Sequence, residues 1–392
     1  MSHDRRTFLT ATALTALSES RILGANERVR VGVIGAGGRS RELLHALEAS
    51  GGNEVVAACD VYEPRRKAAT ARAAAGSKDY DDYHQLLDRK DIDAVVIASP
   101  DHWHVPMTTD AVAAGKDVYV EKPVTHTLEE GDPLIKAVRA TDRIVQCGMQ
   151  QRSWEHFRSA AEMIQAGKLG KVTQVRTYWF QNYGRRSARP EIDTSKLDWK
   201  RWLGSAPDQP FEADRFLTWR WYWDFGGGAM TDLFTHWIDV VHMAMKTDAP
   251  RQAQMLGNRY QFPQRDCPDT LEASFEYPGF LVSYDGTMIS SVDDGGLVFR
   301  GTDATMKLTR EHLQIYQEGK NWHSPDLQIL SKQDGTIAHM RNFLDCVRTR
   351  KQPNAPVEVG VSAARPGHIG NLAYRKEARW INQDKFLSTP QN

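Results

Sequence analysis

Between residues 28 and 150, short apolar runs alternate with stretches of helical period, and this alternation leaves few folds open. Val29–Ile34, Glu54–Cys59, Ala94–Ala98, Val118–Val120 and Ile144–Gly148 read as strands. Ser40–Ser50, Pro64–Ala75, Tyr83–Leu87, Val105–Ala114 and Thr127–Ala140 read as helices between them. Strands joined by helical crossovers pair in parallel, so the segment predicts a doubly wound parallel sheet. Ligands of such sheets bind beyond the carboxyl ends of the strands, so the residues just after each strand are the ones to inspect.

The first strand is followed by Gly35-Ala36-Gly37-Gly38-Arg39-Ser40. Glycine at 35 permits a tight turn, and glycine at 37 lets backbone approach a pyrophosphate lying at a helix N-terminus. Ser40 takes the third small position, where helix and strand pack closely. Asp60 ends the second strand, where a carboxylate holds ribose hydroxyls and repels a 2′-phosphate. That reading favours NAD over NADP, although Arg65 and Arg66 stand nearby as possible phosphate partners. The fourth strand closes on Glu121-Lys122-Pro123, which aims an ammonium into the same crevice.

From about residue 151 the pattern changes. Trp154–Ala166 and Thr231–Met245 read as helices, and Val172–Phe180 alternates in polarity. The runs Ala253–Tyr260, Thr270–Tyr277, Gly279–Met288, Gly296–Gly301 and Ala304–Thr309 follow without crossover helices, which implies an open, mainly antiparallel sheet. Ile337–Arg348 and Val361–Trp380 are helical in period. The chain of 392 residues therefore divides into a nucleotide-binding domain at 28–150 and an α+β domain at 151–392. One sheet face would support helices and the other would serve an oligomer interface.

Lys+Arg equals Asp+Glu at 50 each, which gives no long-range reason to expect nucleic acid or an anionic membrane as partner. No stretch approaches the roughly 18 apolar residues of a membrane span. Cys59, Cys147, Cys267 and Cys346 are scattered and form no CxxC pair. His236, Asp239 and His242 do not make a metal site on one helix, because positions 236 and 242 fall on different faces. His102 and His104 have strand-like spacing, with no cysteine or carboxylate cluster to complete a site. No metal is expected. Many of the 11 Trp and 12 Tyr crowd into residues 178–237, a composition that suits a sugar ligand or an aromatic core equally. Residues 1–27 contain Arg5-Arg6-Thr7-Phe8-Leu9 and a mildly apolar run, the pattern of a twin-arginine export signal, which implies a periplasmic destination.

Three stretches carry a family resemblance: Gly35–Ser40; Ser99-Pro100-Asp101-His102-Trp103-His104 with Glu121-Lys122-Pro123; and Gly226-Gly-Gly-Ala-Met-Thr-Asp232-Leu-Phe-Thr-His236. Together they resemble the Gfo/Idh/MocA oxidoreductases over roughly residues 28–380. The resemblance implies a Rossmann domain joined to an α/β domain, a nicotinamide cofactor, and sugars, cyclitols or glycosides as substrates. It also implies homodimers or homotetramers. By motif, Lys122, Asp232 and His236 become the catalytic group. Gly35, Gly37, Gly38, Arg39, Ser40, Asp60, Ser99, Pro100, Asp101, His104, Glu121 and Lys122 become the cofactor residues. The family often has glycine where this chain has Phe234, which predicts a bulkier pocket wall.

The chemistry follows from the residue types. His236 serves as the base that removes a hydroxyl proton as hydride leaves the same carbon. Asp232, at i, i+4 spacing, orients it, and Lys122 stabilises alkoxide character. Gln151, Arg152, Tyr178, Arg220 and Tyr222 lie near the motif loops and are candidate substrate contacts. Three functions remain: an NAD(H)-dependent sugar dehydrogenase or reductase, a glycosidase or lyase that oxidises its substrate transiently, and a nucleotide-bound sensor without turnover.

Overall fold

The structure, a computed structural model, describes residues 28–183, 190–381 and 385–388. The proposed signal segment lies outside the described residues.

The first domain follows the predicted alternation: β1 (Val29–Ile34), α1 (Gly38–Ser50), β2 (Asn53–Cys59), α2 (Glu63–Thr70), β3 (Lys78–Tyr80), α3 (Tyr83–Leu87), β4 (Ala94–Ile97), α4 (His104–Ala113), β5 (Asp117–Val120), α5 (Gly131–Arg139) and β6 (Val145–Cys147). Its six strands are all parallel in the order β3-β2-β1-β4-β5-β6. The order reverses between β1 and β4, which puts a crevice at their carboxyl ends, where Gly35 and Ser99 stand. Only β3 has no counterpart in the sequence pattern. Its three residues are polar and part-exposed, so no apolar run marks them.

The second domain begins with α6 (Glu155–Gln165) and β7 (Gln174–Phe180), then α7 (Trp199–Leu203) and α8 (Ala213–Leu217). A π-turn at Met230–Phe234 leads directly into α9 (Thr235–Met245). Strands β8 (Gln252–Asn258), β9 (Thr270–Tyr277), β10 (Phe280–Thr287), β11 (Gly295–Arg300), β12 (Ala304–Leu308), β13 (His312–Gln317) and β14 (Leu327–Leu330) follow, then α10 (Gly335–Thr349), α11 (Val357–Arg375), β15 (Ala378–Ile381) and β16 (Lys385–Ser388). They form a ten-stranded sheet, antiparallel except where β7 and β10 run parallel. Helical period extends to Trp380 in the sequence, but the last helix ends at Arg375 and Trp380 lies in a strand.

One sheet face is covered. Phe234, Trp237, Phe275, Tyr284 and Phe299 share a core with helices α6, α9 and α11. The opposite face leaves Leu256 and Leu281 exposed. The chain then returns to the first domain: Met340, Phe343 and Leu344 of α10 pack in one core with Val31, Leu43 and Leu47. Arg350 reaches Asp117 at the foot of β5, and Val357 and Val361 join the core on the other side of the parallel sheet. Residues 335–363 thus clamp the nucleotide domain, so the 151–392 segment is not confined to the second sheet. This long-range return leaves no mark in local periodicity.

Candidate active site

The nucleotide turn is shaped by glycine for two different reasons. Gly35 has φ +83°, and a Cβ there would sit 2.7 Å from the backbone of Ala98 and Ser99. Position 35 therefore answers to the protein's own packing. A Cβ on Gly37 would meet nothing within 4 Å, and one on Gly38 only the Arg41 guanidinium at 3.9 Å. The space before Gly37 and Gly38 is open, as a pyrophosphate cradle at the start of α1 requires. Ser40 is buried with its hydroxyl unpartnered, filling the small-residue position between α1 and β1.

Asp60 lies beside this turn. Its carboxylate accepts from the amides of Ala36 (2.7 Å) and Tyr62 (2.8 Å), which fixes its orientation. Burial raises its pKa, opposed by Arg65 and by those two amides. Arg66 is held by Asp79 at 3.0 Å and Arg65 lies over the Phe216 ring at 4.5 Å. Arg66 is thus engaged by Asp79, and the buried carboxylate of Asp60 at the strand end suits ribose hydroxyls. Glycine cradle, helix start and terminal carboxylate together fit a dinucleotide.

The strand-end loops converge on the crevice. Pro100 begins a 3₁₀ turn at Asp101–Trp103, and α4 starts at His104, so these histidines do not have the strand-like spacing inferred from sequence. The His104 ring nitrogens face the carbonyl oxygens of Pro123 (2.6 Å) and Ser99 (3.0 Å), tying the loop after β4 to the loop after β5. Burial lowers its pKa to about 4, so the ring is neutral and donates to one carbonyl at a time. Through these two contacts His104 ties the two strand-end loops together. His102 is packed among Trp103, Trp202 and Phe225. The Ser99 hydroxyl is buried without a partner.

Glu121 and Arg39 pair at 2.8 Å, linking β5 to the first turn of α1. Burial opposes ionisation of Glu121, but Arg39 and Lys122 outweigh it and its pKa is lowered. Lys122 crosses to the second domain: its Nζ donates to the Asp232 carboxylate at 2.6 Å and to the Asp232 carbonyl at 2.7 Å. Arg220 reaches the same carboxylate oxygen at 3.0 Å. Burial raises the pKa of Asp232, yet the two cations prevail and set it at about 2. Asp101, buried nearby with Oδ1 unpartnered, has its pKa raised well above normal by burial and by Asp232. One carboxyl is thus held ionised, while burial and its charge favour the neutral form of its neighbour.

His236 completes the cluster, though not as its spacing predicted. Asp232 belongs to the π-turn and His236 to the first turn of α9. The wider π-turn breaks the regular i, i+4 alignment, and π-turns recur at functional sites. Asp232 is engaged by Lys122 and Arg220, and the Nδ1 of His236 is buried without a partner. The carboxylate therefore holds the lysine, not the imidazole. Instead the His236 ring stacks on Trp179, centroids 5.6 Å apart. Burial, Lys122, Arg310 and Arg39, in that order, hold its pKa well below 6.5, so the ring is neutral at pH 7.

The candidate substrate contacts sort unevenly. Arg220 lies in the cluster, over Trp219 and bonded to Asp232. Gln151 is buried in a 3₁₀ turn, with Nε2 unpartnered. Arg152 is not free for a ligand, because Asp239 takes its Nε at 2.8 Å. Tyr222 belongs to an aromatic core and donates its hydroxyl to Asp214 at 2.5 Å. Alternation along β7 sends Tyr178 to the sheet face opposite its neighbour Trp179, which meets His236. Phe234 stacks on Phe275 in the core and forms no pocket wall. Sequence reasoning does not find Trp179 and Arg310, because neither belongs to a motif.

Fold and site together define a Rossmann-type dinucleotide-binding protein whose second α/β domain presents an Asp and a His to the strand-end lysine. The oxidoreductase family model with an NAD-binding Rossmann fold matches residues 29–149, and the model of the family's C-terminal alpha/beta domain matches 163–272. The chain belongs to the Gfo/Idh/MocA oxidoreductase family, and its first domain is the NAD-binding one. Inositol 2-dehydrogenase of Salmonella typhimurium is 32% identical over 149 residues, 38% of this chain and 44% of that protein. A glycosyl hydrolase family 109 protein of Saccharopolyspora erythraea is 34% identical over 160 residues, 38% of this chain and 34% of that protein. The matched stretch is thus under half of either relative's length. Among solved structures, levoglucosan dehydrogenase in complex with NADH and levoglucosan aligns at TM-score 0.74 and 17% identity, covering 91% of this chain and all of that one. The WlbA dehydrogenase of Bordetella pertussis, in complex with NADH and UDP-GlcNAcA, aligns at 0.69 and 19%, covering 93% of this chain and all of that one.

Proposed function

We propose that the protein is an NAD(H)-dependent dehydrogenase or reductase acting on a secondary hydroxyl, or its ketone, of a sugar, cyclitol or glycoside. The observation that carries this reading is the meeting of Lys122 with Asp232 across the two domains, with His236 one turn further along the same helical segment. Gly37, Gly38, Asp60 and Ser99 would hold the dinucleotide. When bound, it supplies or accepts the hydride.

The chain's own residues handle the proton and the developing charge. Lys122 has three N–H donors and spends two on Asp232, which leaves one for a substrate oxygen. Asp232 fixes that ammonium in place, so little reorganisation is needed as alkoxide character develops. His236, neutral at pH 7, accepts the hydroxyl proton in oxidation and returns it in reduction. The dehydrogenases among the relatives, acting on inositol and on levoglucosan, support a polyhydroxylated ring as substrate.

The test is to denature purified protein, identify any released nucleotide and its redox state, and repeat after incubation with a sugar and cyclitol panel. Lys122→Ala is expected to abolish turnover and retain nucleotide. Near-normal turnover in that variant removes the lysine from the mechanism. The similarity to a family 109 glycosyl hydrolase favours one alternative, transient oxidation followed by elimination; product release without net NADH would select it.

Two further parts of the reading concern place and assembly. Arg5-Arg6 supports twin-arginine export to the periplasm, where the folded protein would arrive with its nucleotide. Exposed Leu256 and Leu281 on the open sheet face support a homodimer or homotetramer formed through it. Replacing Arg5 and Arg6 with Lys should stop export, and light scattering on Leu281→Glu should report a smaller species.

A further inference from the structure

His236 stands between two buried ion pairs, and both run to loops that leave the parallel sheet. Four residues before it, Asp232 holds Lys122 from the end of β5 at 2.6 Å. Three residues after it, Asp239 holds Arg152 from the turn that follows β6, with Nε 2.8 and 3.0 Å from the two carboxylate oxygens. The Asp239 side chain is 1% exposed and that of Arg152 16%, so this is not a surface contact.

The Arg152 end of the second pair is rigid. Arg152 lies in the 3₁₀ turn Gln150–Ser153, whose Ser153 hydroxyl meets His339 Nδ1 at 2.7 Å and accepts from Asn354 at 2.9 Å. Just before this turn the Gly148 amide donates to the Val120 carbonyl of β5 at 2.8 Å. The His236 end is not fixed by bonds of its own. Its Nδ1 is buried without a partner, and its stack on Trp179 tolerates sliding in the ring plane. Trp237, Ile238, Val240 and Val241 bury α9 in the core, but apolar burial has no direction. The far end of α9 is tied to the second sheet, where His242 meets the Tyr277 hydroxyl at 2.8 Å. Positions 236 and 239 lie about 300° apart around an α-helix, hence within about 60° of each other. A shift of α9 at Asp239 therefore carries His236 with it.

We propose that Arg152 and Asp239 are positioning residues, whose buried pair holds α9 against the end of β6 and so sets where the His236 ring meets the substrate. The inference rests on the reading of His236 as the proton acceptor and adds a second anchor to the one made by Lys122 and Asp232.

The experiment joins NMR of the full-length protein carrying isotope-labelled histidine to kinetics with inositol, levoglucosan and glucose. The His236 signal is assigned by its absence in His236→Ala. The charges that act on this ring are Lys122, Arg310 and Arg39, not Arg152 or Asp239, so a shift on breaking the pair reports position. Asp239→Asn and Arg152→Met are each expected to shift the signal and to lower kcat about tenfold to a hundredfold, with KM and NADH affinity changed less than about twofold. Arg152→Lys should restore part of the rate. Added to His236→Ala, Asp239→Asn should cost no further rate, because the pair acts through the ring. A pair that only stabilised the fold would lower the melting temperature and leave kcat and the His236 signal of the folded protein unchanged, and that result overturns the proposal. So does an equal loss of rate from Asp239→Asn when His236 is absent. Normal turnover in His236→Ala, or none with any of the three compounds, would sink the reading of His236 as acceptor, while the ring signal still decides whether the pair positions it. Should a single variant fail to fold, Arg152→Met with Asp239→Leu removes both charges and carries the same comparison.

Discussion

Replacing Asp232 with Asn isolates the contact on which the domain arrangement and the chemistry both depend. The carboxylate serves two cations at 2.6 and 3.0 Å, and the Lys122 and Asp232 side chains are only 10% and 9% exposed. Breaking a buried pair from one side costs about 3–5 kcal/mol, because the remaining charge loses its partner. An independent figure comes from the proton. The fall of the Asp232 pKa from 3.8 to about 2 corresponds to roughly 2 kcal/mol of stability at neutral pH, an order-of-magnitude value. Arg220 is about a third exposed and can turn to water, so the loss falls mainly on Lys122. Asp232→Asn is therefore expected to lower unfolding free energy by about 2–4 kcal/mol in urea titration at pH 7. Adding Lys122→Met, which removes the stranded ammonium, should recover a good part of it, since apolar replacement of a whole buried pair is often neutral. The sign with pH is set by a depressed carboxyl: the contribution is present above the unfolded pKa and is lost as pH falls through about 2. A single variant within about 0.5 kcal/mol of wild type, or a double variant whose loss equals the sum of the two singles, would refute the coupling.

Three other outcomes follow from the same geometry. Gly37→Val should weaken NAD binding at least about tenfold with little change in melting, because its Cβ enters ligand space and not protein. Gly35→Ala should instead lose about 2 kcal/mol or more of stability, through positive φ and contact with Ala98, and equal melting for the two variants would contradict this division. Stability should fall as pH drops below about 6.5, the unfolded histidine value, because burial holds His102, His242 and His368 at about 3 and His104 and His339 at about 4. These rings are neutral in the fold and protonate on unfolding, so a midpoint unchanged between pH 7 and 5 would argue against their burial.

The parallel domain was legible because each of its rules is local. Runs of Val, Ile and Ala mark strands, and the candidate dinucleotide residues stand at fixed offsets from strand ends. Gly35, Asp60 and Lys122 could thus be named from their places at strand ends, whereas Glu121 entered through the family resemblance. Where contacts depend on distant chain, spacing misled. Arg152 stands close to the motifs in sequence, yet Asp239, 87 residues on, claims it. Tyr178 and Trp179 are adjacent and both aromatic; only the pairing of β7 between β10 and β11 decides which of them faces the helices.

What the chain order alone determined was the set of reactive groups and the turn that receives a nucleotide, since turn geometry and strand period are properties of neighbouring residues. Tertiary structure decided how those groups are shared. The wider helical turn at Met230–Phe234 gives Asp232 to Lys122 instead of His236, and the β12–β13 turn brings Arg310 onto Trp179, a residue far earlier in the chain. Such partnerships arise from packing two domains and two sheets together, where contact is set by three-dimensional proximity that no local pattern encodes.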